Sequence, residues 1–144
     1  MKSKYAGGVP ASRALALLLA AAGLATGCGT AGNDSSSDFT GARKDVAKTI
    51  EDLESAARKS DEDEICTRLL ASSLIDTLRS GGQSCTKAIS DALDDADTFD
   101  LTVKSVTVTG TSATAVVDSK EKAANDTFKL AKEGGSWKIA SLGG

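Results

Sequence analysis

The chain has 144 residues, of which 17 are basic and 20 are acidic, and its formal net charge is −3. It contains no histidine, so catalytic triads built on Ser-His or Cys-His pairs are excluded. Zinc sites draw four ligands mainly from cysteine and histidine, and three cysteines without histidine do not supply such a set. The length and the acidic balance predict one small domain without the clustered positive surface that nucleic-acid binding requires.

Residues 1–27 have the pattern of a secretory signal peptide. Lys2, Lys4 and Arg13 form a basic region without an acidic residue, and residues 14–24 follow as an unbroken apolar run. A helix of about 11 residues rises roughly 16 Å, which is half of the ~30 Å hydrocarbon core of a bilayer. Because the run is too short for a permanent membrane span, we expect residues 1–27 to be removed.

Small residues stand directly before the first cysteine, in the order Leu24, Ala25, Thr26, Gly27 and Cys28. This segment resembles the lipobox of bacterial lipoproteins, although Ala25 stands where the motif usually has Leu, Val or Ile. The resemblance implies a thioether-linked diacylglycerol and acyl chains such as palmitate on Cys28, and a location on the extracytoplasmic face of the cell membrane. Two alternatives are an ordinary thiol after a normally cleaved signal, and a buried core helix.

The residues after Cys28 predict a flexible tether. Residues 28–38 are rich in Gly, Ser, Asn and Asp and offer almost nothing to bury. We therefore divide the chain into a lipoprotein signal peptide (1–27), a lipidated tether (28–38) and a folded domain (39–144). The signal peptide holds three of the basic residues and none of the acidic ones, so the remainder has a net charge of −6, which again speaks against a nucleic-acid partner.

Cys66 and Cys85 are the two cysteines that remain when Cys28 is bound to lipid. An even pair on the oxidising outer face of a membrane predicts a disulfide, and closing a loop of about 20 residues contributes roughly 3 kcal/mol to stability. The rival interpretation as a redox pair requires the spacing Cys-x-x-Cys, which these two residues do not have.

The first half of the predicted domain has a helical period. Apolar residues recur at steps of four, three and four within residues 39–59, at Val46, Ile50, Leu53 and Ala57. Residues 60–64 supply an N-cap and an acidic first turn for a second helix. This helix, or a continuation of it, is expected to extend to the glycines at 81 and 82. A third, shorter helix begins at Cys85.

The period changes to two after Asp100. Alternation over residues 101–108, with a one-residue slip at Lys104 and Ser105, predicts a strand with a β-bulge. A turn at 109–111 leads to a second strand that ends at Asp118, and residues 127–139 form a hairpin that turns at 133–135. The sequence therefore predicts an α+β domain, with N-terminal helices packed on a C-terminal antiparallel sheet of about three to four strands.

This layout, with its segments 60–66, 106–115 and 128–139, resembles the small lipoproteins of Gram-positive, particularly actinomycete, bacteria that carry a nuclear-transport-factor-2-like domain. The resemblance covers residues 39–142 and implies the cone of the cystatin-like α+β superfamily. That superfamily includes isomerases, dehydratases, cyclases and non-catalytic binding modules, so the resemblance implies a fold more than an activity.

Enzymes of this superfamily, such as ketosteroid isomerases and SnoaL-like cyclases, generally place an Asp or His base with a Tyr or another acid inside the cone. Here histidine is absent and the one tyrosine, Tyr5, lies in the signal peptide. We therefore expect a non-catalytic, membrane-tethered module that binds a partner protein or a small apolar ligand and needs no cofactor. The alternatives are an enzyme that uses a lone carboxylate and a structural envelope protein.

Three further features each have two interpretations. The acidic run at 61–64 is a solvated helix start rather than a metal site. Residues 94–100 resemble a calcium loop, but Asp100 stands where that loop needs glycine. Trp137 alternates with Ile139 and is a core residue rather than a platform for ligand stacking. No catalytic, cofactor-binding or metal-binding residue is assigned.

Overall fold

The computed structural model describes residues 35–120 and 123–143, in which helices occupy the first half and strands the second. A 3-10 turn, four α-helices and a π-helical segment are followed by four strands. The helical elements are the 3-10 turn Ser35–Asp38, α1 (Ala42–Arg58), α2 (Glu62–Glu64), the π-helix Ile65–Leu69, α3 (Ser72–Ser80) and α4 (Cys85–Asp94). The strands are β1 (Leu101–Thr109), β2 (Ser112–Ser119), β3 (Asp126–Glu133) and β4 (Ser136–Ser141).

The predicted apolar stripe of α1 faces the core. Val46 and Ile50 have no exposed surface, and Leu53 and Ala57 are also buried. The helix ends where Ser60 takes a left-handed conformation, with φ of +52°, and the Asp61 N–H donates to the Ala56 carbonyl oxygen at 3.0 Å.

The predicted second helix is interrupted at Leu70 and Ala71. Leu70 is extended and forms a parallel bridge to Ile139 of β4, and the Ala71 N–H donates to the Ile139 carbonyl oxygen at 2.8 Å. The preceding turn widens to a π-helix, in which the Leu70 N–H bonds to the Ile65 carbonyl oxygen. Pairing with a distant strand thus outweighs the helical period of the sequence, and α3 starts as a separate element.

The pair Cys66 and Cys85 joins the π-helix to the start of α4. Their sulfur atoms lie 2.01 Å apart and their Cα atoms 6.0 Å apart, a disulfide geometry. Within α4 only Cys85 and Ile89 are buried, so this bond is a large part of what holds the helix on the domain.

The strands form one antiparallel sheet in the order β1-β2-β3-β4. The register of β1 against β2 shifts between Val103 and Ser105, which confirms the predicted bulge. Gly110, with φ of +59°, makes the tight turn between these strands. The predicted α+β fold class is confirmed, with four strands in a sheet that packs against the helices in a cone-like arrangement.

The core lies between α1 and one face of the sheet. Its largest fully buried side chains come from α1, the π-helix, β2 and β4. They are Val46, Ile50, Ile65, Val117 and Ile139. No helix in the described part of the chain has both the length and the apolar character needed to cross a bilayer.

The 3-10 turn Ser35–Asp38 is packed on the rest of the domain. Ser35 is only 6% exposed, and its Oγ accepts the Val103 N–H of edge strand β1 at 3.1 Å. The Ser36 N–H donates to Glu51 Oε1 of α1 at 2.6 Å. Four residues that the sequence assigned to the tether are therefore packed on the domain, while residues 28–34 lie outside the described chain.

Candidate functional site

A cavity of about 300 Å³ lies where the first half of α1 passes edge strand β4. Four lining residues come from α1, two from the end of the π-helix and four from the β3–β4 turn and β4. They are Asp45, Lys48, Thr49 and Asp52, then Arg68 and Leu69, then residues 135–138. This volume lies at the lower end of the range for small-molecule sites.

The first wall of the cavity is a polar stripe of α1. Lys48, Thr49 and Asp52 lie three, four and seven positions after Asp45, so the four residues share one helix face. Thr49 is buried and its Oγ1 donates to the Asp45 carbonyl oxygen at 3.0 Å, while Lys48 Nζ lies 3.2 Å from Asp52 Oδ1. The Asp45 carboxylate has no ion pair or hydrogen bond within the described chain. This wall therefore offers a free acceptor to a bound molecule.

The second wall, from the π-helix and β4, carries positive charge. Lys138 Nζ donates to the Arg68 carbonyl oxygen, which fixes the ammonium at the cavity. A lysine ammonium has three N–H donors, so two remain after this bond. The Arg68 guanidinium lies 3.2 Å from Glu64 Oε1 through one nitrogen and is mostly exposed, so it too retains donors.

Trp137 is the aromatic residue of the lining and the only tryptophan in the chain. It is 6% exposed, and Lys132 Nζ lies 5.8 Å from its ring centroid. Its Nε1–H is buried without a partner in the described chain, which costs about 1 to 3 kcal/mol of stability. Core burial fits the sequence interpretation, yet the same residue also borders the cavity.

The buried carboxylate of the described chain, Glu54, lies outside this cavity. Burial raises the pKa of Glu54, while the Arg58 guanidinium and the Leu101 N–H lower it. The Arg58 nitrogen is 2.6 Å from Glu54 Oε1, and the Leu101 N–H donates to Oε2 at 3.4 Å. Arg58 also pairs with Asp100, whose pKa is held below its usual range chiefly by the hydrogen bond from Lys120. This cluster fastens the end of α1 to the start of β1.

The residues that the sequence singled out are not brought together at the cavity. Cys28 lies outside the described residues, and Cys66 and Cys85 bond to each other at the start of α4. Asp61 Oδ1 accepts the Glu64 N–H at 2.9 Å, so the acidic run is a helix cap. Among residues 35–120 and 123–143, no three His, Cys, Asp or Glu side chains are placed to hold a metal ion.

The sequence alone does not show that these charged residues line a common cavity. Asp45, Lys48 and Asp52 have the spacing of a solvent-facing helix stripe, and nothing local shows that β4 lies beside it. Arg68 and Lys138 are 70 positions apart and meet only through the bridge between Leu70 and Ile139. The alternation of Trp137 with Ile139 was the one usable signal.

No curated protein and no solved structure matches the chain. A family model described as “Putative lumazine-binding” matches residues 82–142, a segment with α4 and all four strands. The match includes Trp137 and Lys138 and begins after α1 and Arg68. The family is of the nuclear-transport-factor-2-like fold type, in agreement with the α+β architecture.

Proposed function

We propose that this protein is a lipid-anchored module on the extracytoplasmic face of the cell membrane, where it binds a small heteroaromatic molecule without transforming it. The observation that carries the proposal is the cavity beside Trp137. Its volume suits a small ring system, and its β4 side lies within the segment that matches the lumazine-binding model.

The lining favours a polar ligand over the apolar ligand expected from the sequence. Charged side chains from both walls, Asp45, Lys48, Asp52, Arg68 and Lys138, border the cavity. A ring system that carries carbonyl and N–H groups, as lumazine does, satisfies such walls, and the small exposed part of Trp137 borders the same space. A purely hydrocarbon ligand would leave these polar groups desolvated and unpaired.

A non-catalytic role is supported by the residues near the cavity. The lining has no histidine, tyrosine or cysteine that could act as a proton shuttle or nucleophile. Asp45 is exposed, and Asp52 is paired with Lys48. Glu54, the buried carboxylate, is held by Arg58 in a contact between α1 and β1. We therefore expect the ligand to be released unchanged.

The ligand proposal is tested by isothermal titration of the purified full chain with lumazine. We expect saturable one-to-one binding, with a change in the fluorescence of Trp137 over the same concentration range. Chromatography of the mixture after long incubation should recover lumazine unchanged. Absence of binding at millimolar lumazine would remove the ligand proposal, and a new product would contradict the non-catalytic role.

The anchor is tested separately by metabolic labelling with a radioactive fatty acid. We expect the native chain to be labelled and Cys28→Ala to be unlabelled. Cys85→Ala is the matched control, because it also removes one cysteine and should keep the label. Equal labelling of the native chain and Cys28→Ala would contradict the anchor proposal and leave the ligand proposal untouched.

A further inference from the structure

We propose that the cavity orients its ligand, with N–H donors of the ligand toward Asp45 on α1 and carbonyl oxygens toward Lys138 and Arg68. This inference rests on the proposed function and specifies the chemical class of the ligand. It concerns a neutral ring system that carries both N–H donors and carbonyl acceptors.

The first step is the difference in charge between the two walls. The α1 wall has two carboxylates and one ammonium, from Asp45, Asp52 and Lys48. The wall of the π-helix and β4 has the two cations Arg68 and Lys138 and no acidic lining residue. A purely anionic ligand would be repelled by the carboxylates of the α1 wall. A purely cationic ligand would be repelled by the two cations of the other wall. Only a ligand with both donors and acceptors satisfies both walls.

The second step is the state of the side chains before binding. Lys48 is the cation of the α1 wall and is already paired with Asp52, at 3.2 Å. The Asp45 carboxylate is therefore the unpaired acceptor of this wall. A carboxylate only accepts hydrogen bonds, so the group that meets it has to be a donor.

The third step is the fixed position of the donors on the other wall. Lys138 Nζ is held by the Arg68 carbonyl oxygen, so less side-chain entropy is lost when a ligand binds it. Hydrogen bonds from a charged donor are stronger than neutral ones. Carbonyl oxygens of the ligand thus find prepared partners on this side.

The experiment compares a probe with N–H donors and a probe in which methyl groups replace them. Because the methyl groups also add bulk, the Asp45 variant separates the loss of donors from the added bulk. Lumazine has two ring N–H groups and two carbonyl groups, whereas 1,3-dimethyllumazine keeps both carbonyls and has methyl groups in place of both N–H donors. Both are titrated, at a pH where lumazine is uncharged, into the full native chain and into Asp45→Asn and Lys138→Met. Matched controls are Asp76→Asn and Lys129→Met, which neutralise exposed residues outside the cavity lining.

We expect the native chain to bind lumazine about tenfold more tightly than its dimethyl analogue. Asp45→Asn should reduce this preference by weakening lumazine alone, because a neutral amide oxygen accepts a weaker hydrogen bond than a carboxylate. Lys138→Met should weaken both probes by a similar factor of about ten, since a charged hydrogen bond is lost in each case. The two control variants should bind like the native chain.

The orientation is overturned if lumazine binds and Asp45→Asn weakens both probes equally, or neither; the ligand proposal survives that result. A native chain that binds neither probe removes the ligand proposal and the orientation together. Thermal unfolding of each variant shows whether a loss of binding comes from a loss of fold. The binding result of any variant that is folded at the titration temperature is taken as a test of the orientation.

Discussion

The Cys66–Cys85 disulfide should supply a large part of the stability of this domain. The two residues are 19 positions apart, and the chain-entropy relation gives about 3 kcal/mol for a closed loop of this size. Small domains have a net stability of about 5 to 15 kcal/mol. Besides Cys85, α4 packs only the buried Ile89 and the partly buried Leu93 against the core, so the bond is a main attachment of this helix.

The perturbation is the double substitution Cys66→Ala and Cys85→Ala, measured by urea unfolding followed by circular dichroism. We expect the free energy of unfolding to fall by about 3 kcal/mol and the melting temperature to fall by roughly 12 to 24 °C. A reductant should destabilise the native chain by a similar amount and leave the double variant unchanged, which is the matched control.

A loss of less than about 1 kcal/mol, or a native chain that is insensitive to complete reduction, would refute this reasoning. Hydrogen exchange gives an independent measure of the same effect. Amides of α4 should lose protection in the double variant before amides of β2 and β3, because the bond ties α4 to the π-helix.

Three further predictions concern the contacts between elements. Ser35→Ala leaves the buried Val103 N–H without its acceptor and should lower the free energy of unfolding, measured in urea, by about 1 to 3 kcal/mol; an unchanged free energy would contradict the role of Ser35. Glu133 accepts hydrogen bonds from the Ser72 N–H at 3.2 Å and from the Ser72 hydroxyl at 3.0 Å, at the start of α3. Glu133→Ala should therefore lower the free energy of unfolding by about 1 kcal/mol. An unchanged melting temperature would show that this cap is dispensable. The raised pKa of Glu54 means that this carboxyl holds its proton more tightly in the folded state than in the unfolded state. The free energy of unfolding should therefore fall as pH rises above about 4.5 through the folded pKa. Glu54→Gln should lack this pH dependence, and parallel pH profiles for the two proteins would contradict it.

Local patterns in the sequence were sufficient for most of the fold. The slip of alternation at Lys104 predicts the bulge of β1, since both depend on one extra residue in the strand. The spacing of Val46 and Ile50 likewise predicts the buried face of α1. Such features follow from near neighbours in the chain, and so they are visible without a structure.

Features that depend on distant contacts were not predicted. The helix is interrupted at Leu70, where this residue forms a bridge to Ile139. The turn at Ser35 is held on the domain by the hydrogen bond from the Val103 N–H. The cavity has the same origin, because Asp45 and Lys138 become neighbours only after α1 is packed beside β4. No period or motif within either segment contains that information.

The two edge strands of the sheet are each blocked by a segment that is not a strand. On β1, the outward-facing Val103 N–H donates a hydrogen bond to Ser35 Oγ. On β4, the outward-facing Ile139 carbonyl oxygen accepts a hydrogen bond from the Ala71 N–H. An open edge is a template for pairing with another chain, so both blocks act against self-association through the sheet. Each of these two short segments therefore removes one open pairing position from an edge strand, at Val103 on β1 and at Ile139 on β4.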